Sequence, residues 1–404
     1  MNWDDSLSRE RLAGYDPARL GAASVLLVGA GAAGNNVALT LALSGLGELR
    51  VVDFDHVEPS NLSRAPLFRR ERLGGGRQRH KAREVAQGFL AHAMAPDPVA
   101  RFATVPFEAL GLGAFRGIDV VVSAVDSFRG RALLSDAARR CGIPFVECGF
   151  SAPRGHVSVF PNQRADGPCW RCLMPGATAG GASCTLYARA AAAEGRIAAT
   201  QSVAAMFGAM AAEAALLALH GEFPLGDRMC DLDVRTGRAH ILEVVVEPGC
   251  GGHTALPEVV EVEVTDSAPL SALFDAAERH VSRPIVHLPA PLLLRAPCAL
   301  CGAGVTLGKP VWAVREPPQC RACPKVPLLS GQGVVTQSTV TRDDELVSRP
   351  CKALGIAPGA IVVVEDGSDS RSVALRIAGT VDDLFTTRRR NPTPEAAAPE
   401  DDPG

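Results

Sequence analysis

Gly29-Ala30-Gly31-Ala32-Ala33-Gly34 decides the reading of this chain. Ahead of it stands Ala23–Val28, an apolar run rich in Val and Leu, and behind it Asn35–Ser44 carries apolar residues at helical period. That order is strand, tight turn, helix. Glycines at G-x-G-x-x-G spacing let backbone N–H groups close on a phosphate at the N-terminus of the following helix. Working outward, Leu49–Asp53 reads as a second strand and Val120–Val125 as another. Strands alternating with helices in this way give a parallel sheet covered on both faces. Residues 1–256 are therefore expected to form an α/β, doubly wound, Rossmann-like domain.

Asp53 ends the second strand at about the 20-residue distance of a ribose-binding acid. Taken alone, loop and acid fit NAD, FAD or another nucleotide. The next segment discriminates. Asp53-Phe54-Asp55-His56-Val57-Glu58-Pro59-Ser60-Asn61-Leu62-Ser63-Arg64 is dense in polar groups beyond a strand end, and Lys81 follows. A hydride-transfer enzyme leaves Asn61, Arg64 and Lys81 unexplained. A triphosphate needs cations and amides to hold its oxygens as charge moves onto pyrophosphate. Asp126, just past Val120–Val125, adds an oxygen ligand suited to Mg²⁺.

With 404 residues the chain is long enough for two or three domains, and 47% hydrophobic against 21% charged residues is a soluble globular balance. A net charge of −3 supplies no general attraction to nucleic acid or anionic membranes, so neither is expected as a partner. Met1-Asn2-Trp3-Asp4-Asp5 is too polar for a secretory leader. Val203–Leu219, interrupted by Glu213, reads as a buried helix and not a membrane span. Half of the twelve cysteines stand in Cys-x-x-Cys pairs, which favours metal over disulfides and a cytoplasmic location.

Together these motifs resemble the ThiF/MoeB/HesA family, adenylating relatives of the ubiquitin-activating enzymes, from about Ser8 to His253. The resemblance implies the role of each residue. Arg9, or else Arg11, would meet the nucleotide phosphates, reaching across a homodimer. Gly29, Gly31 and Gly34 would cradle phosphate; Asp53 would bind ribose with Asp55 beside it. Asn61, Arg64 and Lys81 would hold phosphates, and Asp126 would hold Mg²⁺. Two departures stand out: Ala65 replaces a glutamine of the family pattern, and the loop reads GxGAAG where GxGGxG is usual. The implied reaction is attack by the C-terminal carboxylate of a ubiquitin-like protein or modifier peptide on the α-phosphorus of ATP. No general base is required, since a carboxylate is ionised at neutral pH.

Cys169-Trp170-Arg171-Cys172 is half of a tetrahedral zinc site. The family places the other half after the domain's last strand, where this chain has Cys250-Gly251-Gly252-His253. That implies a structural Cys₃His zinc site with no open position. Cys298-x-x-Cys301 and Cys320-x-x-Cys323, outside the resemblance, have zinc-ribbon spacing. The ribbon suits protein binding or stabilisation alone. Cys184, in Gly181-Ala182-Ser183-Cys184-Thr185, has no partner nearby. It matches the place where thioester- or persulfide-forming relatives carry their nucleophile, with Arg189 or a helix N-terminus available to lower its pKa. The stretch from Cys184 to Leu219 is similar to bacterial members found beside ubiquitin-like proteins and conjugating enzymes. Cys141, Cys148, Cys230 and Cys351 read as small buried hydrophobes.

Adenylation with transfer to Cys184 is the leading reading. Adenylation for sulfur-carrier or peptide chemistry without a catalytic cysteine is its alternative, with an NAD-dependent oxidoreductase and a zinc-bearing scaffold behind. Beyond residue 256, 257–290 is expected as a connecting strand and helix and 291–386 as a smaller zinc-ribbon domain. Residues 387–404, rich in Pro, Ala and acids, are expected to be disordered.

Overall fold

The structure is a computed structural model that describes residues 6–73, 78–164, 166–175, 198–298, 300–314, 319–320, 322–323 and 334–390. Ser24–Val28 (β1) is buried along its whole length, as an apolar strand covered on both faces must be. It pairs in parallel with Glu48–Val52 (β2) on one side and Val120–Ser123 (β4) on the other. Val99–Ala103 (β3) and Phe145–Ser151 (β5) extend this to five parallel strands ordered β3-β2-β1-β4-β5. Chain order reverses at β1, the switch point where such sheets open a crevice.

The expected sheet was wholly parallel, and the observed one is mixed. Arg154–Phe160 (β6), Arg228–Asp233 (β7) and Arg238–Glu243 (β8) continue it antiparallel. The β5–β6 and β7–β8 connections hold two and four residues, too short for a parallel crossover. Two short helices, Ser8–Leu12 (α1) and Pro17–Ala22 (α2), lead into β1. Ala32–Leu43 (α3), Lys81–His92 (α4) and, later in the chain, Gln201–Leu219 (α7) cover one face; Phe128–Arg140 (α5) and Trp170–Leu173 (α6) cover the other. Among the described residues α7 is the one helix long and apolar enough to cross a membrane, and it lies in the core against α3, β5 and β6.

Residues 257–290 prove to be part of a second sheet and not a connector. Val259–Val262 (β9) pairs in parallel with Ser372–Ile377 (β14), and Leu270–Ala277 (α8) buries Leu270, Leu273 and Phe274 in the second core. Pro284–Pro297 (β10), Gly304–Pro310 (β11), Val335–Thr341 (β12) and Ile361–Asp366 (β13) complete it, in the order β11-β10-β13-β14-β9 with β12 also on β10. Four half-exposed residues cannot announce a partner so far along the chain.

The chain then returns. Thr386–Arg389 (β15) pairs antiparallel with β3 at the edge of the first sheet, so the expected disorder does not begin at 387. All four of its residues are exposed, so its sequence carries no hydrophobic alternation to read. Just before it, Val381 and Phe385 enter the apolar cluster under α5.

Candidate active site

β1 ends in Gly29, whose φ is +95°; a β-carbon there would sit 2.5 Å from the Ala124 carbonyl oxygen. Gly34 lies on the first turn of α3, and a β-carbon on it would come within 2.0 Å of the Gly29 carbonyl oxygen. Gly31, the N-cap, is different: its β-carbon would meet no protein atom within 4 Å, and no side chain caps the helix. Two glycines thus close the turn and the third leaves bare backbone facing a cleft at the positive end of α3.

That cleft has a volume of ≈ 1370 Å³. Gly29, Gly31, Asp53, Asp55, Asn61, Arg64, Lys81 and Asp126 all line it. From the end of β2, Asp53 accepts from Ala30 N–H at 2.7 Å and from Asp55 N–H at 2.8 Å, which ties the acid to the glycine loop. Burial pushes the Asp53 carboxyl above its ordinary value, and those two N–H groups, then Lys81, pull it back. Lys81 opens α4 and meets Asp55 at 2.8 Å. Asn61 accepts from Glu58 N–H at 3.0 Å, and Arg64 donates to the Ser60 carbonyl, so the 58–64 turn aims both side chains. Asp126 is exposed, and among the described residues nothing hydrogen-bonds its carboxylate.

An oxygen-ligating cation fits here: Asp126 offers an exposed carboxylate with no hydrogen-bond partner among the described residues, and phosphate and water oxygens would complete the shell. Val105, Phe107 and Val125 give the same cleft an apolar wall, suited to a base. Glu108 stands beside them, its carboxyl raised by burial. Sequence reasoning missed this wall, and also Ser127, Arg131 and Gly149, because no motif spacing marks them. Arg9 is exposed on α1 and does not line this chain's own cleft. Cys184 lies outside the described residues.

The first cysteine set converges. Cys169 Sγ is 3.8 Å from Cys172 Sγ and 3.7 Å from Cys250 Sγ, and His253 Nε2 is 3.1 Å from Cys172 Sγ. A tetrahedron with Zn–S bonds of ~2.3 Å puts sulfurs about 3.8 Å apart. Arg171, held by Asp136 at 2.7 Å, braces the knuckle from outside. Cys298, Cys301, Cys320 and Cys323 likewise gather with all ligand atoms within 4.8 Å of one another. The N–H groups of Cys301 and Leu300 draw the Cys298 thiol down to about 7. Cys148, Cys230 and Cys351 are buried and Cys141 is half-buried; burial pushes each thiol up.

Fold and cleft define an α/β nucleotide-binding protein with a cysteine–histidine cluster beside its sheet that could hold a metal ion. The chain belongs to the ThiF family, whose model matches residues 9–251. Among curated relatives, the mouse "Adenylyltransferase and sulfurtransferase MOCS3" is 36% identical over 157 residues, covering 39% of this chain and 33% of that protein. The "Sulfur carrier protein adenylyltransferase" of Thermus thermophilus is 38% identical over 163 residues, covering 39% of this chain and 57% of its own length. The matched part thus spans a third of the first and little over half of the second. Among solved structures, E. coli MccB with MccA-N7isoASN superposes at a TM-score of 0.52 and 17% identity, covering 63% of this chain and 75% of that one, a likeness of fold.

Proposed function

We propose that this protein uses ATP to adenylate the C-terminal carboxylate of a ubiquitin-like protein or modifier peptide. The observation that carries the reading is the convergence on one cleft of a bare helix N-terminus, Lys81, Arg64, Asn61 and Asp126, whose carboxylate meets no hydrogen-bond partner among the described residues. The relatives' names, with a sulfur carrier protein adenylyltransferase among them, support a small-protein substrate.

In the reaction, a carboxylate oxygen bonds to the α-phosphorus, the α–β phosphoanhydride breaks, and pyrophosphate leaves with the electron pair. The α3 N-terminus and Asn61 hold the phosphates, while Arg64 and Lys81 neutralise charge gathering on the leaving group. Asp53 fixes the ribose. Asp126 would hold a Mg²⁺ ion, which would supply Lewis-acid stabilisation of the charge on the phosphates. Arg9, which does not line its own cleft, fits supply from a second copy, so the working form is proposed to be a homodimer. The acyl group then passes to the Cys184 thiolate, which attacks the acyl carbon and expels AMP, before handing on to a conjugating enzyme. Reduced thiols in both zinc sets accord with a cytoplasmic setting.

ATP–pyrophosphate exchange dependent on a candidate carrier protein tests the first step. Asp126→Ala should abolish it; exchange at the wild-type rate would remove Asp126 from the mechanism, and a wild-type protein that catalyses no exchange with any candidate carrier would end the adenylation reading. Cys184→Ala should spare exchange and remove a dithiothreitol-sensitive conjugate. A conjugate that survived this change would rule out Cys184.

A further inference from the structure

Beneath the cleft, on the α5 side of the sheet, lies a buried charge network that the reaction above does not use. Glu147, in the middle of β5, is fully buried. It meets Arg131 Nη1 at 3.0 Å and His156 Nε2 at 3.1 Å, and accepts from Ser158 Oγ at 2.9 Å. Glu147 stands directly across from Ser158, and Gly149 across from His156, on the β5–β6 ladder. A carboxylate in such a place must be paired, and each oxygen here is.

Arg131 is the member that reaches the cleft. From the first turn of α5 its Nε donates to the Val125 carbonyl at 3.0 Å, one residue before Asp126. The guanidinium also lies over the Phe128 ring, 5.8 Å from its centre. A β-carbon on Gly149 would run into it at 2.5 Å, so β5 is bare where Arg131 rests. Ring, carbonyl, carboxylate and bare strand hold the guanidinium where it borders the cleft.

We propose that Glu147, backed by His156, is a positioning residue: it clamps Arg131, and Arg131 holds the Val125–Asp126 turn in the place from which Asp126 binds the metal. The proposal rests on the adenylation reading, since that reading gives Asp126 its cation. The geometry is that of an outer-sphere support, where groups behind a ligand set its orientation.

The test measures Mg²⁺ affinity by calorimetry in the presence of a non-hydrolysable ATP analogue, on full-length protein. Glu147→Gln keeps the shape and removes the charge; Arg131→Lys keeps a charge and loses the bond to Val125. Both should weaken Mg²⁺ binding by roughly 10- to 100-fold, the usual effect of losing such a support. Metal-free binding of the analogue should be little changed. Ser158→Ala removes a hydrogen bond to the same carboxylate without touching Arg131, and should leave Mg²⁺ affinity near wild type. Wild-type Mg²⁺ affinity in both Glu147→Gln and Arg131→Lys would overturn the proposal. So would an equal loss in Ser158→Ala, which marks general loosening of the core. A wild-type protein that fails to bind the analogue at all would overturn the adenylation reading and this proposal with it.

Discussion

Replacing Gly31 and Gly34 by alanine, one at a time, should separate ligand binding from folding. Gly31 has φ −74° and ψ −155°, a conformation alanine adopts freely, and its β-carbon would touch no protein atom. The cost to the fold is the weaker capping of alanine, about 1 kcal/mol or less. For a unit of this size that is a melting shift of roughly 2–4 °C. The methyl group would, however, stand where a phosphate must approach the α3 N–H groups. Losing one hydrogen bond to a charged phosphate is worth ~1.5–3 kcal/mol, or about 10- to 150-fold in ATP affinity. Gly34→Ala behaves oppositely. Its β-carbon would overlap the Gly29 carbonyl at 2.0 Å, so α3 and the loop must part. That is overpacking at the upper end of the usual range, about 3 kcal/mol, and roughly 6–12 °C in melting temperature. Thermal melts and calorimetric ATP titrations on both variants decide the matter. If Gly31→Ala bound ATP as tightly as wild type, the phosphates would not rest on this loop and the nucleotide site would have to be sought elsewhere.

Phe385, buried beneath α5 near the end of the chain, should matter to the first domain although it lies outside the family match. Phe385→Ala should cost about 3 kcal/mol or more, read as an earlier urea transition in the fluorescence of Trp170, which shares that cluster; an unchanged Trp170 transition would mean the C-terminal return does not stabilise the nucleotide domain. The two cysteine sets should release two equivalents of zinc per chain to a chromogenic chelator after thiol modification. Cys250→Ser should lose one equivalent and His253→Cys should keep both. Burial alone would raise the Glu147 carboxyl, but the charges of His156 and Arg131 and the hydrogen bonds from His156 and Ser158 hold it at about 2, against an ordinary 4.5. Its contribution to stability is therefore complete above about pH 4.5 and drains as pH falls toward 2. The urea midpoints of wild type and Glu147→Gln should draw together as pH falls from about 4.5 toward 2; a gap that stays constant would show that Glu147 does not titrate as described.

The parts of this protein legible in the sequence are those where chemistry needs fixed residue types at fixed spacing. The glycine loop follows β1, Asp53, Asn61, Arg64 and Lys81 follow β2, and Asp126 follows β4, and parallel strands bring those ends to one edge. The metal knuckle was readable for a similar reason: His253 replaces a cysteine without changing the spacing, and the four ligand atoms still converge. Arg131 and Glu147 were not readable. They stand sixteen positions apart, on a helix and a strand, and only packing of α5 on β5 makes them partners. β9 and β15 were missed on other grounds. Both are four-residue strands with exposed or half-exposed side chains, whose pairing is set by distant backbone and not by their own pattern.

That return of the chain bears on the site itself. The segment from Val105 to Phe115 has two sides. Val105 and Phe107 belong to the apolar wall of the nucleotide cleft with Glu108 beside them, while Leu110, Ala114 and Phe115 pack in one cluster with Val381 and Phe385. At Gly113 the approach is close enough that a β-carbon would lie 2.3 Å from the Gly359 carbonyl oxygen of the second unit. Nearby, Asp382 lies 3.3 Å from Arg50 and 3.8 Å from Arg101, which both also bond Glu48, so adjacent strands β2 and β3 share one ionic anchor with the returning segment. An appended module joined by a flexible linker would leave the cleft wall indifferent to its presence. Here apolar packing, a backbone approach and a shared ion network all fasten the wall to the second unit. The C-terminal unit is thus part of the frame that shapes the nucleotide cleft.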